Sequence, residues 1–177
     1  TFGGMYGGDA NKGSDANDQS VLNTMELYST LSTNGYIDQK WGWVYKGVKR
    51  VNKALQVMAN VTEMSDAVRK TRTGELKFLR ALSYYHAIDL YGNSPFATEE
   101  NALGSVPVMK TRAEMFDYVL NELNTIEADL PAPRANEYGR ADKGALWMLK
   151  AKLLINAKVY TGQDKSTEAL AAVNSVL

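Results

Sequence analysis

Two tryptophans flank one glycine at Trp41-Gly42-Trp43, and the stretch just before them, Thr33 to Lys40, holds Asn34, Tyr36, Asp38 and Gln39. These residue types suit sugar recognition, in which flat aromatic faces meet the apolar side of a pyranose ring and amides or charges bind its hydroxyls. On a helix, Trp41 shares a side with Tyr45 and Val48. Trp43, about 200° further round, shares one with Lys46, Gly47 and Arg50. A tryptophan on a polar side either packs on another segment or meets a partner. Asn34, Tyr36, Trp41 and Trp43 are therefore the candidate ligand-contact residues. The competing expectation for the tryptophans is packing against sequence outside this chain.

Other chemistry is scarce. Asp9, Asn11, Asp15, Asn17 and Asp18 invite a calcium loop, but the EF-hand template fails from either start. Counting from Asp9, the required glycine is Ser14 and the closing glutamate is Ser20; from Asp15, Ser20 again replaces the glycine. A solvated loop is expected, with no metal site. The absence of cysteine excludes disulfides, thiolate metal sites and thiol nucleophiles. One histidine, His86, cannot build a multi-histidine centre, and its place in an apolar run reads as a packed side chain. Paired-carboxylate hydrolysis has no sequence signature to test. No catalytic residue and no cofactor are expected. Lys plus Arg and Asp plus Glu both number 20, so the net charge is zero and the electrostatic case for nucleic acid or anionic membrane is gone.

The positioning elements are helical. The 177 residues, 45% hydrophobic and 23% charged, suffice for one domain with a real core. A helix is expected from Asp18 through Tyr28, then a loop over Ser29 to Lys40 with the turn pair Asn34-Gly35. From Trp41 to Asn60, Trp41, Val44, Tyr45, Val48, Val51, Leu55 and Met58 form one stripe. Ser65 or Asp66 caps the next helix, which runs to Tyr91 and is ended by Gly92 and Pro95. After an aperiodic connection to Lys110, Thr111 opens a helix with the stripe Met115, Phe116, Val119, Leu120, Leu123, Ile126 and Leu130. Asp142 caps a fifth long helix to Tyr160, and a last one follows Gly162. No segment alternates with period two for long enough to make a strand, so the class is all-α. No window approaches the roughly 20 apolar residues of a membrane span. An initial Thr1 and a final helix with Leu170, Val173 and Leu177 uncovered predict a piece of a longer chain, a removed leader or lipid anchor included. They also predict self-association or fraying at Leu177.

The helices come in pairs, and the last pair fits a tetratricopeptide unit: Ala157, Tyr160, Ala169, Val173 and Val176 fall on its small, aromatic and apolar positions. Asn156 departs from it, where leucine is expected. Tyr91 and Tyr160 lie 69 residues apart, close to two units of about 34. Degenerate repeats of this kind let paired helices approach through small residues while aromatics fill the wedges between pairs.

Two runs carry a family resemblance. GELKFLRALSYYHAIDLYGNSPF, through Glu75, Arg80, Ala81, Tyr84, Tyr85, Leu90, Tyr91, Gly92 and Pro95, resembles the signature of SusD/RagB outer-membrane nutrient-binding lipoproteins. GRADKGALWMLKAKLLINAKVYTG resembles the family's second signature through Gly139, Arg140, Ala141, Lys143, Gly144, Ala145, Leu149, Ala151, Leu154 and Tyr160, and the Tyr45 and Asn52 spacing resembles its early helix. The resemblance covers residues 1–177 as one N-terminal, tetratricopeptide-containing helical domain. It implies a non-catalytic surface protein that captures a polysaccharide or oligosaccharide and passes it to a TonB-dependent outer-membrane transporter. The implied lipid anchor is an N-terminal Cys absent here. The family's glycan contacts often come from the loop before the early helix, although no residue-level motif carries over. Glu75, Arg80 and Arg140 read as an ion pair or as contacts tethering helices rather than as ligands. A protein–protein adaptor and an α-helical glycosidase are the alternatives from other classes.

Overall fold

Apolar spacing and local caps set the helices of the computed structural model, which describes residues 2–13, 20–102 and 104–177. Asp15, Asn17 and Asp18 lie outside the described residues. The chain divides within one long helix into a unit ending at Trp43 and a second unit, Val44–Leu177.

The first unit holds α1 (Phe2–Gly7), α2 (Val21–Glu26) and the opening turns of α3 (Gly35–Met58). Its buried side chains include Met5, Met25 and Asn34. The Tyr6 hydroxyl donates to Thr30 Oγ1 at 2.7 Å, and the Tyr28 hydroxyl donates to the Tyr6 carbonyl at 2.7 Å. The loop expected over Ser29 to Lys40 is shorter than its turn-rich composition predicts. Asn34-Gly35 is not a free turn but the start of α3. The Asn34 carbonyl accepts from Asp38 N–H at 3.1 Å and its Oδ1 accepts from Tyr36 N–H at 2.9 Å, an N-cap arrangement. Tyr36, Asp38 and Gln39 therefore lie on a helix.

The second unit carries the rest of α3, then α4 (Asp66–Tyr91), β1 (Ser94–Phe96), β2 (Val108–Lys110), α5 (Arg112–Ile126), α6 (Lys143–Ile155), α7 (Ala157–Thr161) and α8 (Ser166–Val176). Ser65 caps α4 by accepting from Val68 N–H, Thr111 and Glu114 form a capping box on α5, and Asp142 accepts from Ala145 N–H at 2.9 Å to start α6. At the end of α4, Gly92 has φ of +79°, and a Cβ there would sit 3.1 Å from Arg112 Nη2, so glycine is required twice over. The single helix expected from Asp142 to Tyr160 is instead broken at Asn156. This side chain donates to the Lys152 carbonyl at 3.1 Å, the local competition by which a short amide interrupts a helix.

Helix α4 packs with α5, and α6 with α8, the paired arrangement that the repeat pattern predicts. Together they bury Tyr84, Ile88, Phe116, Leu123, Leu146 and Leu153 in one core. Among the described residues the strands are a single antiparallel hairpin, with Ser94 opposite Lys110 and Phe96 opposite Val108. Three residues per strand are too few to show period-two alternation. The hairpin is pinned by Tyr84: its hydroxyl donates to the Ala97 carbonyl at 2.7 Å and accepts from Ala97 N–H at 2.9 Å. Phe96 meets Tyr118 edge-on at 4.5 Å between centroids. The fold is all-α with this small addition.

Candidate functional site

The charged signature residues are structural, and their partners differ from a simple Glu75–Arg80 pair. Arg80, 2% exposed, points its guanidinium at Glu122 and Glu99. Its Nε lies 3.1 and 3.2 Å from the two Glu122 oxygens, and Nη1 donates to Asn52 Oδ1 at 2.7 Å. The Tyr118 hydroxyl donates to the same Glu122 carboxylate at 2.8 Å. Burial alone would lower the Arg80 pKa, but the hydrogen bonds and charges of Glu122 and Glu99 outweigh it and hold the guanidinium more firmly protonated than usual. Burial opposes ionisation of Glu99, yet its hydrogen bond to Arg80 wins and its pKa lies below the ordinary glutamate value. Burial first, then the Glu122 charge, push the Tyr118 phenol well up.

Glu75 turns the other way. Arg140 grips it with two N–H groups, Nε at 2.9 Å from Oε1, and Asn136 Nδ2 donates to it at 2.8 Å. This carboxylate ties the segment before α6 back onto α4. It borders a groove of about 530 Å³ whose walls include Met58, Met64, Leu76 and Leu79. The Glu75 and Arg80 positions were legible as tethers. Glu122 was not singled out, though it stands beside Val119, Leu123 and Ile126 on the buried side of α5, and an acid at that angle is the signal.

The aromatic candidates resolve by helical angle. Tyr36, Lys40 and Trp43 recur at steps of four and three on the first turns of α3 and so share one side. Trp43 is 54% exposed, and the Lys40 ammonium lies 4.1 Å from the indole centroid, over one face of the ring. Partial burial holds the Lys40 pKa below its ordinary value. Tyr36 and Trp41 are half-buried, and Trp41 lies about 140° round from Tyr36. Asn34 is 6% exposed, and its Nδ2 donates to the Val21 carbonyl and to Thr24 Oγ1 at 2.9 and 3.0 Å. Its amide is committed to holding the start of α3. The structure thus brings Tyr36 and Trp43 together with Lys40, which the sequence did not single out as a contact, and sets Trp41 and Asn34 apart. Gly47, expected beside Trp43 on a polar side, faces α4, where a Cβ would meet Ser83 Oγ at 2.8 Å.

The His86 ring lies 5.5 Å from that of Tyr85. Among the described residues, no group of three metal-ligating side chains is present and no helix is long and apolar enough to cross a membrane.

Paired helices with a tethered hairpin define an all-α protein of degenerate repeat type, and the comparisons name the family. The SusD-like family model described as starch-binding and associating with the outer membrane matches residues 6–176. The chain belongs to the SusD/RagB family. It is 42% identical over 132 residues to the starch-binding protein SusD of Bacteroides thetaiotaomicron, covering 74% of this chain and 24% of that protein. It is 28% identical over 120 residues to the SusD-like protein P25 of Formosa agariphila, covering 66% of this chain and 23% of that protein. Its fold is shared with surface glycan-binding protein A from Bacteroides uniformis, at a TM-score of 0.79 and 21% identity over 93% of this chain and 36% of that one. The chain spans about a quarter of the length of the curated relatives it matches.

Proposed function

We propose that this chain takes part in non-catalytic capture of a glycan at the outer-membrane surface, for handover to a TonB-dependent transporter. The observation that carries the reading is Trp43: an indole more than half exposed, on a helix capped in place by Asn34, with Tyr36 and Lys40 on the same side. An aromatic face held this way offers the apolar side of a pyranose ring a flat partner at small entropic cost. The Lys40 ammonium beside the indole offers N–H donors to the hydroxyls of a sugar that meets the exposed part of the ring. Support comes from the family description and from relatives described as starch- or glycan-binding. They lend nothing to the adaptor reading. In this reading the chain is a helical domain of a longer surface-anchored protein, and Trp41 contributes packing more than ligand contact.

The test follows the Trp43 indole N–H signal in a nitrogen-15 spectrum during titration with maltoheptaose and laminarihexaose. A saturable displacement is expected with at least one sugar, and in Trp43→Ala, followed through the Lys40 backbone amide, binding at this site should weaken roughly tenfold. A Trp43 signal unmoved by millimolar concentrations of both would overturn the assignment.

A further inference from the structure

Trp147, on α6, belongs to no part of the site above. It is half-buried, and its Nε1 donates to Glu127 Oε1 at 2.8 Å. Lys150 Nζ donates to the other oxygen of the same carboxylate, also at 2.8 Å. Glu127 therefore clamps an indole and an ammonium together and fixes both in one orientation. These groups line a cleft of about 330 Å³ between α5, α6 and α8, with Leu154 on its apolar wall and the exposed Asn124 at its edge. Opposite stands a second pair, Lys165 with Glu168 at 3.4 Å.

We propose that this cleft is a second carbohydrate site, in which one or two pyranose rings rest against Trp147 and Leu154. The inference rests on the glycan-binding reading of the family. Three features select this ligand class. The two lysines and two glutamates balance, so the cleft favours neither an anion nor a cation and suits a neutral ligand. Each Glu127 oxygen has one donor and keeps a lone pair for a hydroxyl, Lys150 has further N–H groups, and Asn124 offers both donor and acceptor. The volume lies at the low end of the roughly 300–1,000 Å³ typical of small-molecule sites, which fits a sugar unit rather than a folded partner. Because the indole and the ammonium are already held by Glu127, binding need not order them.

The experiment uses the 177-residue chain labelled with nitrogen-15, with maltoheptaose and laminarihexaose as probes. Its three indole N–H signals are assigned by single Trp→Phe substitutions. The Trp147 signal should shift saturably in the parent chain and equally in Trp43→Ala. Lys150→Met and Asn124→Ala should each weaken that shift several-fold to roughly tenfold, while the Trp43 midpoint stays in place. Asn124 is exposed, so its substitution keeps the test valid should Lys150→Met disturb the fold. If the Trp43 signal moves and that of Trp147 does not, or if Trp43→Ala abolishes the Trp147 shift, the second site is overturned and the glycan reading stands. If neither signal moves with either sugar, both fall.

Discussion

Replacing Arg80 with methionine should be among the costliest single changes in the second unit. The guanidinium is 2% exposed and its main partner, Glu122, is 5% exposed. Methionine fills much of the volume but leaves Glu122 with only the Tyr118 hydroxyl and no compensating charge. An uncompensated buried charge of this kind costs about 3–5 kcal/mol. Glu99 is about a quarter exposed and can be rehydrated, so its loss of Arg80 adds little. With an unfolding entropy of about 2.1 cal/mol/K per residue, a unit the size of Val44–Leu177 should melt roughly 11–18 °C lower. The assay is urea and thermal denaturation at neutral pH, followed by far-ultraviolet circular dichroism. Glu122→Leu in the Arg80→Met background should recover at least half of the loss, because it removes the stranded charge. A cost below about 1 kcal/mol for Arg80→Met, or a double variant no better than the sum of the singles, would refute the reasoning. Either result would mean that Glu122 is solvated.

Two further outcomes follow from particular contacts. Gly47→Ala gains helix propensity of up to about 1 kcal/mol but drives a methyl into Ser83 Oγ, so it should be net destabilising. The sign should reverse in a Ser83→Ala background, and a Gly47→Ala variant that melts higher on its own would count against close α3–α4 packing. Melting temperature should also decline at both ends of the pH scale. Tyr84 and Tyr118 have phenols raised chiefly by burial, so above about pH 10 the unfolded chain loses protons that the folded one keeps, and stability falls. Glu99 and Glu127 are lowered by their cationic partners against the pull of burial. Their contribution is present at neutral pH and lost as pH drops below about 4.5 through the depressed folded values. An acid limb unchanged in Glu99→Gln and Glu127→Gln variants would sink this assignment.

What was legible beforehand rests on short-range physics. The α4 limits, with Ser65 before and Gly92 after, and the Thr111 and Asp142 caps depend on groups within four residues of one another, so composition and spacing were enough. The buried stripes of α3 and α5 were readable for the same reason, and the two signature runs marked the family. Where local signals competed, the reading failed. Asn34-Gly35 has the chemistry of a turn and also of a cap, and only the bonds from Asn34 to Val21 and Thr24 decide between them. Asn156 broke a helix that periodicity continued. The partners of the charged residues were out of reach altogether: Arg80 meets Glu122 across 42 residues, and Glu75 meets Arg140 across 65. The sequence by itself determined that this protein is helical, paired and of its family, because caps and periodicity act over one turn. Which carboxylate each arginine holds, and which indole Glu127 holds, only the tertiary structure decided, because those contacts exist only once distant helices pack.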